Sequence, residues 1–345
     1  MKFIRVSMWM LLPFVVCLCG IWPQHADACM AVSRSGNPVV NADQTVLILW
    51  DEASRTEHFI RKPSFRGGGE SDFGFLVPTP SRPEVTETED SVFSRLASIT
   101  APPAASGGWF PFGCAAAAPQ TLAAVRVVER KTVAGMDVAV LQADGGAALA
   151  KWLMDHGYAQ TPEVADWAKP YLSGDWFITA MKYAKNATAP GAPKTVAGTL
   201  SLRFKTDRPL FPYRESDTSQ SAAALSAKRR LLRIYFIAGW AYGGRLDDGS
   251  AWSGKPVWSD ALTPADRTDI LRRLGLPAAT LPATAWLTEF EDDWKYRKAP
   301  ADLYFSKAAE RRVQRRVAET GVVDPVIAIA AASCVLTPVF RRKRR

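Results

Sequence analysis

The sequence predicts an α+β fold, mainly antiparallel β-sheet with packed helices. Three observations predict it: short apolar runs closed by Pro or Gly outnumber helical patterns, turn signals set neighbouring runs close enough to pair antiparallel, and no repeat recurs at a fixed period. The chain of 345 residues carries 48% hydrophobic and 22% charged residues, which excludes a disordered chain, and five Cys are too few for a disulfide-held miniprotein.

The first element is an address. Lys2 and Arg5 precede an apolar run from Val6 to Ile21, and Ala26-Asp27-Ala28 places small residues where a signal peptidase reads, so residues 1–28 are expected to be a signal peptide cut before Cys29. At the other end, residues 322–340 hold one carboxylate, Asp324, and precede Arg341-Arg-Lys-Arg-Arg345. That pattern predicts a transmembrane helix with a basic cytoplasmic tail at 341–345, leaving 29–320 outside the cell. A C-terminal sorting tag removed by a protease, and a terminal core helix with a solvated tail, are the competing readings.

Between these ends the elements follow in order. Thr45 to Trp50 is an apolar strand, Thr56 to Arg61 a second strand ending at Pro63, and Asp72 to Val77 a third after the Gly67-Gly68-Gly69 turn. Val92 to Ile99 is a short helix, and Ala101 to Pro119 a Pro-, Gly- and Ala-rich loop holding Cys114. Strands follow at Val125 to Val133 and Met136 to Gln142. Ala147 to His156 is a helix with Leu149, Trp152 and Leu153 on one face and Gly157 as its stop; Thr161-Pro162-Glu163 starts the next, to Leu172. Strands return at Asp175 to Tyr183 and Thr199 to Thr206, on either side of a loop from Ala184 to Thr195.

Residues 216–227 are small and polar and mark the candidate linker between a 29–215 portion and a second α+β portion over 228–320. In the latter, Arg230 to Trp240 is a strand and Tyr242 to Asp260 a Gly- and Trp-rich excursion. Thr263-Pro264-Ala265-Asp266 caps a helix ended by Gly275, Ala285 to Phe290 and Leu303 to Phe305 are strands, and Ser306 to Glu319 is expected to be a basic helix.

Charge and motif bound the chemistry. The formal charge of +9 invites a nucleic-acid reading, yet the predicted signal and tail hold seven of the 43 cations and one of the 34 anions, which leaves residues 29–340 at about +3. No nucleic-acid partner is expected. Two histidines remain beyond the signal, His58 and His156, and there is no HExxH, CxxC, phosphate loop, dinucleotide loop or G-x-S-x-G elbow, so no metal site and no cofactor is expected. Cys29 and Cys114 are the cysteines left to an exported domain and form a candidate disulfide, with free thiols as the alternative.

Candidate functional residues are few. Trp240, Tyr242, Trp252 and Trp258 would stack on the sugar faces of an envelope glycan if exposed, or pack a core if buried. His156 with Asp51 is a candidate acid–base dyad; as a helix cap beside Gly157, His156 would be structural. His58 reads as a surface strand residue. Asp247-Asp248-Gly249-Ser250 reads as a polar turn rather than a calcium loop. Glu289, Glu291, Asp292 and Asp293 read as a solvated turn, with pairing to the basic 307–316 stretch as the alternative.

An ordered series of segments resembles one bacterial family of exported proteins, domain of unknown function 2330. It comprises Ala28-Cys29, Gln44-Thr-Val-Leu-Ile-Leu-Trp-Asp51, Thr56-Glu-His58, Asp72-Phe-Gly-Phe-Leu-Val-Pro-Thr-Pro80, Val125-Arg-Val-Val-Glu129 and Met136-Asp-Val-Ala-Val-Leu141. It continues through Leu149-Ala-Lys-Trp-Leu153 with Gly157-Tyr158, Trp176-Phe-Ile-Thr-Ala-Met-Lys182, Leu202-Arg-Phe and Asp207-Arg-Pro-Leu-Phe-Pro212, covering about residues 28–242. The resemblance implies an extracytoplasmic protein and no transferable catalytic residue. The resulting expectation is a membrane-anchored extracytoplasmic protein with a binding or structural role, its partners the membrane and an envelope glycan or protein. An envelope hydrolase or peptidase-like enzyme built on carboxylates and a histidine is the alternative.

Overall fold

The computed structural model describes residues 30–33, 40–41, 44–62, 65–66, 73–102, 127–142, 145–158, 162–172, 174–183, 198–214, 230–294, 299 and 301–315. The predicted signal peptide, Cys29, Cys114, the linker 216–227, the transmembrane segment and the basic tail lie outside the described residues, as do the loop at 184–195 and all but the start of the loop at 101–119. Among the described residues no helix is long and apolar enough to cross a membrane.

Along the chain come β1 (Met30–Ser33), β2 (Val40–Asn41), β3 (Gln44–Asp51), β4 (Thr56–Lys62), β5 (Phe65–Arg66), β6 (Phe73–Thr79) and β7 (Glu84–Thr88), then helix α1 (Ser91–Ile99). Next are β8 (Val127–Val133), β9 (Met136–Leu141), α2 (Gly146–Asp155) and α3 (Pro162–Ala168), which runs into a 3-10 turn at Lys169–Tyr171. β10 (Phe177–Tyr183), β11 (Thr199–Lys205), β12 (Leu210–Phe211), β13 (Arg230–Ala238), β14 (Tyr242–Leu246) and β15 (Lys255–Ala261) precede α4 (Pro264–Arg273). β16 (Trp286–Trp294) and β17 (Leu303–Lys307) complete the set.

These elements stack in four layers. A seven-stranded sheet, in the order β15-β16-β13-β3-β4-β11-β7, packs one face against a five-stranded sheet ordered β1-β6-β10-β9-β8. Val46, Ile48, Phe59, Leu202, Ile234 and Phe236 of the first meet Phe75, Val77, Val138, Val140 and Met181 of the second in the central core. Helices α1 and α4 cover the outer face of the larger sheet through Val92, Leu96, Ile270 and Leu271. Helices α2 and α3 cover the outer face of the smaller one through Leu149, Trp152, Leu153, Val164 and Trp167. A three-stranded sheet, β12-β17-β14, adds Phe211, Leu246 and Phe305 to the central core.

Sequence explains the middle of the large sheet. A strand covered on both faces needs apolar residues at every position rather than alternation. Val46, Leu47, Ile48 and Leu49 are all fully buried, as are Ile234, Ile237 and Ala238, and the two runs lie side by side at the sheet centre. Their pairing, Leu232 opposite Gln44 through Ile237 opposite Leu49, is parallel, whereas the remaining pairings are antiparallel as predicted. Strands from before and after 216–227 therefore share one sheet and one core, and the two sequence portions are not separate globules.

Several local expectations hold for the stated reasons. The Thr263 hydroxyl accepts from the Asp266 amide and caps α4, and Gly275 follows the helix at φ 64°. α2 ends with Gly157 at φ 74°, and the Tyr158 amide bonds back to the Leu153 carbonyl. Two expectations fail. The excursion over 242–260 contains β14 and most of β15, and the basic helix beginning at Ser306 is absent from the described residues: β17 runs to Lys307, and 308–315 is irregular apart from a bridge at Val313. There Val313 exchanges both backbone hydrogen bonds with Ser259, and sheet-edge pairing overrides helix propensity.

Candidate functional site

The residues proposed from sequence separate in space. Asp51 closes β3, where its carboxylate accepts from the Ser54 amide at 3.1 Å and the Ser54 hydroxyl at 2.6 Å. His156 follows α2; its ring stacks on Trp152 at 4.0 Å and its Nδ1 lies 2.8 Å from the Trp152 carbonyl. No hydrogen bond joins His156 to Asp51, or either imidazole to a carboxylate, among the described residues, so the dyad does not form. His58 is corrected from surface to interior: it points to the helix-covered face of β4 and is buried. Burial, then the nearby Arg203, pulls its imidazole down to about 4, so it is neutral at pH 7.

The aromatic row is likewise a set of core rings. Tyr242 and Trp258 are buried, Trp252 is half-buried and donates its indole N–H to Asp292 at 2.7 Å, and only Trp240 stands out, at 48% exposed. A row of stacking faces for a sugar chain is therefore not available. The acidic stretch is strand β16 and not a solvated turn, because its carboxylates face donors on neighbouring elements. Glu289 is fully buried beside Arg233 and Arg315, and Asp292 accepts from Tyr213, Trp252 and Ser253. Asp248 accepts from the Ser250 amide and hydroxyl, with Gly249 at φ 80°, which is the polar turn expected. No group of three or more metal-ligating side chains occurs among the described residues.

What the structure does assemble is an open groove of about 570 Å³ at one end of the sandwich, lined by Ser54, Arg55, Pro80, Lys205, Thr206, Asp207, Arg208 and Tyr304. Three connections and one strand meet there: the β3–β4 turn, the β6–β7 connection, the β11–β12 connection and β17. The turn is tight enough to place Arg55 at φ 48°, a left-handed conformation that costs a non-glycine residue about 1 kcal/mol. The Arg55 carbonyl accepts from the Thr206 amide at 3.1 Å and ties the two connections together.

The groove is rich in donors. Lys205 Nζ reaches the Ser54 carbonyl at 2.6 Å and the Thr56 hydroxyl at 2.8 Å, while Arg55 pairs with Asp207 at 2.9 Å. The Arg208 guanidinium lies 4.2 Å from the centre of the Tyr304 ring and 3.3 Å from Asp247. Burial, reinforced by Asp302 and Asp247, pushes the Tyr304 phenol up to about 12. Three cations stand against two carboxylates, Asp207 in the lining and Asp247 on Arg208, an excess of positive charge that suits an anionic group. A second cleft, of about 390 Å³, lies between α1 and the start of α4, where Arg95 bridges Asp266 and Asp269.

Sequence reasoning passed over the groove because its members come from four separate stretches, each reading as an ordinary turn or strand end. The one signal was the segment Asp207-Arg-Pro-Leu-Phe-Pro212. No curated protein and no solved structure matches the chain. Its residues 23–305 match the family model of domain of unknown function 2330, described as an uncharacterized protein conserved in bacteria; the match runs past residue 242 to include β15, β16 and most of β17, strands that complete the large sheet and the groove. The chain belongs to the bacterial family known as domain of unknown function 2330.

Proposed function

We propose that the protein is an exported binding protein, held at the cell membrane by its 322–340 segment with residues 29–320 outside, and that the groove around Arg208 and Tyr304 receives an anionic group of an envelope component. Export rests on the signal-like residues 1–28 and orientation on the Arg-rich terminus. The observation that carries the binding role is the convergence of Arg55, Lys205, Arg208 and Tyr304 on one groove, against Asp207 in its lining and Asp247 beside Arg208. A histidine-dependent hydrolase has no such support, since His58 is buried and His156 is engaged by its own helix.

The test is calorimetric titration of the full chain in detergent micelles with glucose 1-phosphate, glucuronate and neutral glucose. Saturable binding of the charged sugars alone is expected, weakened about tenfold or more by Arg208→Ala, equivalent to about 1.4 kcal/mol. Equal binding of glucose, or an unchanged Arg208→Ala, overturns the groove assignment. Protease added to spheroplasts tests the topology separately: digestion of the bulk of the chain is expected, and full protection of 29–320 refutes it.

A further inference from the structure

After β17 the chain leaves its sheet and travels along the outer edge of β15, an edge strand of the large sheet. The contacts are specific at each step. The Ala308 amide donates to the Ala241 carbonyl at 2.9 Å, and the Trp240 indole donates to the Ala308 carbonyl at 3.0 Å. Arg312 pairs with Asp260 at 2.9 Å, and Val313 and Ser259 exchange backbone hydrogen bonds at 2.8 and 2.9 Å. Arg315 then turns in over the strand, its Nη2 lying 2.5 Å from Glu289 and 2.6 Å from Glu291.

The receiving carboxylates explain why an arginine belongs there. The Glu289 side chain is 1% exposed, and its Oε2 has no hydrogen-bond partner among the described residues. Glu291, two residues on, is on the same face of β16. Of the two adjacent strands, β13 supplies Arg233, at 2.7 Å from each of the two carboxylates, and β15 sets Lys255 in register with Glu291 at the exposed end of the pair. Two carboxylates so placed, one fully desolvated, carry a charge that a single guanidinium does not balance, and an uncompensated buried charge is costly. Burial pushes the Glu291 carboxyl up; hydrogen bonds from Arg315 and Arg233 more than offset this and leave it below the usual range.

We propose that the β15 edge and the Glu289–Glu291 pair form a docking site for an extended arginine-bearing segment, and that residues 308–315 occupy it as a clasp fixing the chain's C-terminal exit to the domain. The clasp also shields the exposed edge of β15 from pairing with other chains. Its mechanical consequence rests on the membrane-anchored reading above. Arg315 and Val322 are seven Cα steps apart, which span at most about 25 Å, whereas the 15 steps from Lys307 would span about 50 Å. A closed clasp thus halves the distance the domain can move from the bilayer.

Hydrogen exchange and limited trypsin digestion of the full chain in detergent test the clasp without reference to the anchor. In the wild type, the peptide holding Val313 should exchange slowly and the bond after Arg315 should be cut slowly. Arg315→Ala should raise exchange at Val313 tenfold or more while β13 and β16 stay protected. Arg311→Ala, at an exposed residue of the same segment, should leave Val313 unchanged. Unaltered Val313 exchange in Arg315→Ala, or an equal rise in Arg311→Ala, overturns the proposal. Should Arg315→Ala unfold the domain, Arg315→Lys and Glu291→Gln provide the reading: Arg315→Lys should retain more protection than Glu291→Gln, and fast exchange at Val313 in wild type would refute the clasp outright. Slow exchange in detergent combined with full protease protection on spheroplasts would sink the anchor and leave the clasp standing.

Discussion

The Glu57 carboxylate accepts the backbone N–H of Leu210 at 2.8 Å inside the sandwich, where Glu57 is completely buried. The bond fastens β12, and through it the three-stranded sheet, to β4 of the large sheet. Burial pushes the Glu57 carboxyl well above the carboxylate range, and the Leu210 amide offsets only part of that.

A group whose pKa is raised on folding keeps its proton in the fold over a window where the unfolded chain has lost it. Glu57 therefore weakens the fold as pH rises from about 4.5 through its raised value. Glu57→Gln, which keeps an acceptor for Leu210 and cannot ionise, should match the wild type near pH 4 and exceed it in stability at pH 8. Glu57→Ala should lose about 1 to 3 kcal/mol by leaving that buried amide unpaired. Denaturant melts at the two pH values decide this; a Gln variant less stable than wild type at pH 8 contradicts it.

His58 titrates in the opposite sense. Its folded value of about 4 lies below the ordinary 6.5, so the unfolded chain takes up a proton first and stability falls as the pH drops from about 6.5 to about 4. The span corresponds to about 3 kcal/mol. His58→Phe should flatten the stability profile over that window relative to wild type. Parallel profiles for the two proteins would show that His58 is not the group responsible.

Gly74 on β6 has no room for a side chain. A Cβ there would lie 2.2 Å from the Met181 carbonyl oxygen and 2.8 Å from the Tyr158 ring, and the carbonyl belongs to the neighbouring strand β10. Gly74→Ala should cost about 1 to 3 kcal/mol. Gly243→Ala, whose nearest neighbour is the Ala308 Cβ at 3.5 Å, should change stability by less than about 1 kcal/mol. Thermal unfolding of both variants checks the contrast, and similar Tm shifts would refute it.

How far the fold could be read in the sequence depends on the range of the forces involved. The strand at 44–51, the helix at 91–99, the capped helix at 264–273 and the Gly157 stop follow from neighbouring residues, and each was legible. The 308–315 segment misled because its arginines suit a solvated helix, while their carboxylate partners lie some 20 to 50 residues earlier in the chain. His58 misled for a similar reason: its place between Glu57 and Phe59 reads as a surface strand position, but α1 and α4 cover that face.

The sequence by itself determined the fold class, several of the elements and the family, because capping, apolar periodicity and ordered motifs are local properties. Only the tertiary structure decided that β3 and β13 pair in parallel, that Tyr242 and Trp258 pack in the core, and that Arg55, Lys205, Arg208 and Tyr304 share one groove. Those outcomes depend on which distant segments desolvate one another, and burial and ion pairing between remote residues leave no periodic trace along the chain.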